Sequence, residues 1–183
     1  YTPSQRLRHE DAYSPGNRPG MRPNRATIVF SNRLREAYPD VPQVMGGIEA
    51  SLRRFAQYDY WSDKVRQSVL ADTPADLLVY GMGELQLLQI AESLDKGVPV
   101  KDITDIDGTV WKMEIKIWKE KKEEMLKNNI EIPSYTEVLH DKMLYSKAFK
   151  LTLDEQDPVR GRGIVQVHPK TVIVQNKPMR SLN

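Results

Sequence analysis

Val44-Met45-Gly46-Gly47-Ile48-Glu49-Ala50-Ser51 and Asp76-Leu77-Leu78-Val79-Tyr80-Gly81-Met82-Gly83-Glu84 share one pattern: a short apolar run that stops at glycine. Continuous apolar runs of this length, cut off by glycine, read as strands buried on both faces. The first run extends back through Val41-Pro42-Gln43. The second leads into Leu85, Leu88, Ile90 and Ala91, the apolar stripe of a helix from Glu84 to about Leu94, with Gly97 as its stop. Upstream, Ala26, Ile28, Val29, Leu34 and Ala37 recur near helical spacing over residues 25–38, and Pro39 follows. Between the strands, Ser62 can cap a short helix over 62–71 with Val65, Val69 and Leu70 on one side. Helix, strand, helix, strand, helix predicts a parallel pair in an α/β sheet. Two strands alone make a marginal sheet, so others must join them.

The flanks differ in character. Residues 1–24 hold Pro3, Pro15, Pro19, Pro23, Gly16 and Gly20 and read as an extended arm. Residues 105–118 alternate weakly and fit a strand or a helix start. Trp111–Asn128 reads as a charged amphipathic helix, its run 119–124 a solvated face with i,i+4 pairing. Ser134 and Glu137 fit a capping box that opens a helix from Tyr135 to Glu155, and Asp157-Pro158 ends it. Ile164–Val167 and Thr171–Val174 read as a β-hairpin around His168-Pro169-Lys170, and the tail from Asn176 as a polar linker. The expected division is an arm over 1–24, an α/β domain over 25–105, and a helical and β-hairpin extension over 106–183.

Composition narrows the function. The 183 residues contain no cysteine, which excludes disulfides, cysteine nucleophiles and thiolate-held metal or iron–sulfur centres within this chain. His9, His140 and His168 show no metal-ligand spacing. No run approaches the length of a membrane-spanning helix, and the first residues lack a signal-peptide core. A cytoplasmic place is therefore expected. Tyr1 rather than Met opens the chain, which suits a piece of a longer protein. Net charge is only +2, but residues 1–35 carry seven Arg against Glu10 and Asp11, while residues 71–110 are acidic. An Arg-rich arm of this kind is a solvated loop or lies against an acidic partner.

Candidate site residues follow from the strand ends, because ligands of parallel α/β sheets sit at the carboxyl ends of strands. Gly46 and Gly47, then Gly81 and Gly83, let a phosphate or cofactor tail approach the backbone. Glu49, Ser51 and Glu84 add polar groups on the same rim. These seven are the candidate cofactor-binding residues; no catalytic or metal-ligating set is visible. Arg53-Arg54 could bind an anion. Tyr58-Asp59-Tyr60-Trp61 could stack on a base or anchor an interface.

Longer stretches carry more than these motifs do. Val44 through Arg54, Tyr58 through Arg66, and Ala75 through Glu84 resemble signatures of the YgiQ-like family of bacterial radical SAM proteins. Asp11 through Gly16, Arg22 through Thr27, Glu155 through Gly161, and Val174-Gln175-Asn176 are similar too. The resemblance covers most of residues 9–177 and is weakest over 111–131. It implies the N-terminal domain that precedes the radical SAM barrel: a partial Rossmann-like, cobalamin-binding-like parallel sheet with flanking helices, its first strands absent. The cobalamin-ligand histidine pattern is not visible. The family's three-cysteine motif is expected downstream of Asn183. There a [4Fe-4S] cluster and S-adenosylmethionine would yield a 5′-deoxyadenosyl radical, so the parent would be the enzyme. This chain would be an accessory domain that covers or shapes the substrate site. The expected partners are that downstream domain and, through an open sheet edge, a second copy. The rival expectation is a nucleic-acid- or protein-docking module built on the Arg-rich arm and the Tyr58–Trp61 cluster.

Overall fold

The computed structural model describes residues 4–180. After the arm come α1 (Ala26–Ala37), β1 (Val44–Met45), α2 (Gly47–Leu52), β2 (Gln57–Asp59), β3 (Lys64–Arg66), β4 (Leu77–Val79) and α3 (Glu84–Asp95). Then follow β5 (Thr109–Met113), α4 (Ile115–Met125), β6 (Asn129–Glu131), α5 (Tyr135–His140), α6 (Lys142–Asp154), β7 (Gly163–Val167) and β8 (Val172–Gln175). The main sheet has six strands in the order β1-β4-β5-β8-β7-β6, and β2 pairs with β3 in a separate antiparallel ribbon.

The two apolar runs do form a parallel pair, with Val44 opposite Leu77 and Met45 opposite Leu78. The α/β class holds, and the sheet grows beyond that pair into a mixed one. β5 joins β4 antiparallel, β8 joins β5, and the β7–β8 hairpin forms as the sequence pattern predicts. The segment after residue 105 thus supplies the strands that keep β1 and β4 from standing as a marginal pair. Alternation along β4 divides the core: Leu78 packs with Met45, Val110, Ile164 and Ile173 on one face, Leu77 and Val79 with Ile90, Ile103 and Ile106 on the other.

Helix ends follow local chemistry. The capping box forms: Ser134 Oγ accepts from the Glu137 amide, and the Glu137 carboxylate accepts from the Ser134 amide. Gly97 and Val98 donate to the Leu94 and Ser93 carbonyls and close α3. Arg35 and Asp76 bind at 2.7 Å, and Asp76 also accepts from the Gln43 amide at 2.8 Å.

Four expectations are corrected. Residues 62–71 are not a helix; Lys64–Arg66 is strand, and Ser62 Oγ donates to Asp59 instead of capping a turn. Aromatic Tyr58 and β-branched Val65, paired across the ribbon, favour it here. The helix expected over 135–155 is two helices. Asp141 breaks it with extended backbone, and its side chain accepts from the Met143 and Leu144 amides to start α6. Of the apolar stripe read in α1, Ile28 reaches the core, but Val29 and Leu34 stand exposed.

The fourth correction concerns the tail. Asn176 is not linker. Its Nδ2 donates to the Thr104 and Ile106 carbonyls and to Thr109 Oγ1 at 2.8–3.0 Å. Its Oδ1 accepts from the Trp111 indole at 3.3 Å, and its carbonyl accepts from the Tyr80 hydroxyl at 2.7 Å. Asn176→Ala strips partners from several partly buried groups at once and should cost about 1–3 kcal/mol. Chemical unfolding measures it; a loss within about 0.5 kcal/mol, usual for a surface change, would restore the linker reading.

Candidate functional site

Because β1 and β4 are parallel neighbours, their carboxyl ends open on the same side of the sheet. α2 starts directly after β1 and α3 shortly after β4, so the two glycine turns form one rim. Gly47 (φ +84°) and Gly81 (φ +74°) occupy the left-handed region that other residues rarely adopt. A Cβ at either would meet nothing within 4 Å. The constraint on these glycines is therefore backbone conformation, not crowding. Ser51 Oγ accepts from the Gly81 amide at 3.3 Å and joins the turns.

The remaining candidate residues are placed differently. Glu49 is held on both oxygens: Thr27 Oγ1 donates at 2.6 Å and Arg53 Nη1 at 2.7 Å. It fastens α1 to α2. Gly83 is the N-cap of α3, and Glu84 sits exposed in its first turn, where a carboxylate is favoured by the helix dipole. The rim is open and more apolar than its glycines suggest, with Ile48 80% and Met82 78% exposed and Leu52 beside them.

A larger cleft, about 1010 Å³, lies between the arm and the β2–β3 ribbon, lined among others by Tyr13, Arg22, Arg25, Arg53, Asp59 and Trp61. Its charges are largely matched. Arg22 grips Asp11 through two nitrogens at 2.6 and 3.0 Å, and Arg25 binds Asp59 at 2.7 Å. Burial would raise the Asp59 carboxyl, but hydrogen bonds from Ser62 and Arg25, and the charge of Arg25, hold it at about 2.

Two buried groups were not distinguishable in the sequence. Arg53 and Arg54 are adjacent, yet Arg53 pairs with Glu49 on the surface while Arg54 turns inward to Gln175 Oε1 at 2.6 Å. His168 is 1% exposed, lies 5.7 Å from the Tyr135 ring in a stacked arrangement, and shares a 3.1 Å contact with Gln166 Oε1. Burial pushes its imidazole down to about 4.

Residues 1–183 match the radical SAM N-terminal family along their whole length. The chain belongs to that family. It is 57% identical to a UPF0313 protein of Methanosarcina acetivorans, 99% of this chain aligning with 27% of that protein. A UPF0313 protein of Methanosarcina mazei is 54% identical, with 99% of this chain and 33% of the relative covered. One from Clostridium perfringens is 50% identical over 100% of this chain and 27% of its own length. The chain thus spans about a quarter to a third of the relatives it matches. No solved structure matches it.

The family's name implies an iron–sulfur cluster and S-adenosylmethionine somewhere in the longer protein. This radical SAM N-terminal domain has no cysteine, and its described residues contain no group of three metal-ligating side chains. Its donor set therefore does not fit a thiolate-held cluster. No described helix is long and apolar enough to cross a membrane.

His168 yields a pH prediction. It is neutral in the folded domain down to about pH 4, whereas an unfolded histidine takes a proton near 6.5. Its contribution is complete above 6.5 and is lost as pH falls toward 4. Urea unfolding at about pH 7 and about pH 4 should show the wild type losing about 2–3 kcal/mol more than His168→Phe. Equal losses in both would remove His168 as the source.

Proposed function

We propose that this domain is an accessory module of a longer radical SAM protein, whose rim docks on the downstream [4Fe-4S]/S-adenosylmethionine barrel and helps shape its substrate site. One observation carries the reading. At the joined carboxyl ends of β1 and β4, where α/β sheets present ligands, the domain exposes Ile48 and Met82 instead of closing over them. Most of the relatives' length lies outside the aligned segment, so there is ample chain to cover that face. In this reading Gly46, Gly47, Gly81 and Gly83 let the covering chain or its substrate approach the backbone. Ser51 and Glu84 supply polar contacts, and Glu49 keeps the rim rigid. The parent is the enzyme, and its place is the cytoplasm. A second copy pairing at the free edge of β1 is a further partner of the same proposal.

The rival docking reading has less support. Arg22 and Arg25 already neutralise Asp11 and Asp59, which removes one of the arm's cations and its neighbour at the start of α1 from phosphate contact.

Hydrogen exchange on the full-length parent tests the docking. Residues 46–52 and 81–84 should be protected in the wild type. Ile48→Asp with Met82→Asp should lose that protection and also speed exchange in a distant barrel segment, without lowering the melting temperature of this domain. Rim amides that exchange in the wild-type parent as freely as an open loop would overturn the proposal.

A further inference from the structure

Arg54 is 9% exposed, and every partner it has is neutral. Its Nε donates to Gln175 Oε1 at 2.6 Å and its Nη1 to the Ser51 carbonyl. Its guanidinium lies over the rings of Tyr80 and Phe55, 5.0 and 5.7 Å from their centroids. No carboxylate among the described residues pairs with it, and Nη2 has no hydrogen bond among them. An arginine in a protein does not lose its charge. The π faces compensate part of the lost hydration, but a buried cation normally also takes an anion. Burial accordingly disfavours its charged form.

The position of Arg54 gives that imbalance an outlet. It lines a cavity of about 320 Å³ between the end of α2, β2 and α6. Phe55, Ile132, Ala148, Phe149 and Leu153 make the cavity apolar, while Gln57 and Gln166 share the lining with Arg54. Gln166 is fully engaged with Ala56, Pro133 and His168. Gln57 Oε1 is buried with no partner. At the mouth, Phe149 and Leu153 are exposed on α6. A cation and apolar walls in a volume of this size suit a small ligand with an anionic head and an apolar body.

We infer that the cavity between α2 and α6 binds a small monocarboxylate with an alkyl or aryl tail, its carboxylate on Arg54 and its tail against Phe55 and Phe149. One guanidinium with one open nitrogen matches a single negative charge; a phosphate would bring more charge and more acceptors than Arg54 can meet. The cavity adjoins the docking rim at Leu52, but the rim's marker residues Ile48 and Met82 do not line it.

The test uses the full-length parent and 4-phenylbutyrate, with neutral 4-phenylbutanamide as control, by calorimetric titration. The acid should bind at least about tenfold more tightly than the amide, and Arg54→Gln should weaken it by a similar factor, as loss of a charge-assisted hydrogen bond requires. Phe149→Ala should weaken both compounds several-fold with an unchanged melting temperature, since that side chain is 65% exposed. Arg54→Gln is not the sole arm: if it fails to fold, the acid–amide ratio and Phe149→Ala still decide. Equal binding of acid and amide, or insensitivity to Phe149→Ala, would overturn the inference. So would absence of binding to the parent, the result expected if a carboxylate of the parent's own chain fills the pocket.

Discussion

Asp76 holds three elements with one carboxylate oxygen. Oδ2 accepts from Arg35 on α1 and from the Gln43 amide just before β1, while the Asp76 residue itself leads into β4. The Asp76 and Leu77 amides return bonds to the Gln43 carbonyl. Arg35 spreads the tie further, to the carbonyls of Pro39, Val41 and Pro74. β1 is two residues long and has a partner on only one side, so its ladder alone cannot hold it. The side-chain clamp fixes the β1–β4 register, and with it the position of both glycine turns. The pairing of Ser51 with Gly81, and the inward path of Arg54 after α2, both depend on that register.

A second line of polar contacts runs through the molecule behind the rim. Arg54 stacks on Tyr80, the Tyr80 hydroxyl donates to the Asn176 carbonyl, and the Asn176 side chain gathers the loop before β5. Burial raises the Tyr80 phenol, which keeps its proton available for that donation. Gln175, next to Asn176, accepts from Arg54. The last described strand is thus tied to the turn after α2 across more than a hundred residues of chain. Contacts of such sequence separation fasten the turn after α2 to the C-terminal strand.

What could be read from the sequence was local. β1, β4 and the β7–β8 hairpin were legible because strands buried on both faces appear as unbroken apolar runs. The capping box at Ser134 was legible because both members lie within one helical turn. The 62–71 segment misled because Val65, Val69 and Leu70 are apolar at helical spacing, yet Val69 and Leu70 are buried from an irregular turn. Asp141 was hidden inside an otherwise continuous helical pattern. Asn176 looked like linker because its partners lie some seventy residues away. At the candidate site, the proximity of the two glycine turns was legible from the parallel pairing. The fates of Glu49 and Arg54 were not, since no spacing rule distinguishes Arg53 from Arg54.

That last distinction carries physical weight. Residues in adjacent positions at a helix end point in different directions, so Arg53 meets Glu49 and water while Arg54 meets the sheet. The Arg53–Glu49 pair is half-exposed, so solvent screens part of its attraction. The inward arginine is costly, because desolvation is not repaid by an opposite charge. A methionine in its place would keep much of the packing on Tyr80 and Phe55 without that cost. A buried cation with only neutral partners is therefore poorly explained by folding alone. An anionic occupant of the cavity it lines would convert the same residue from a burden into a binding group, and the stability lost on folding would return as affinity when the occupant arrives.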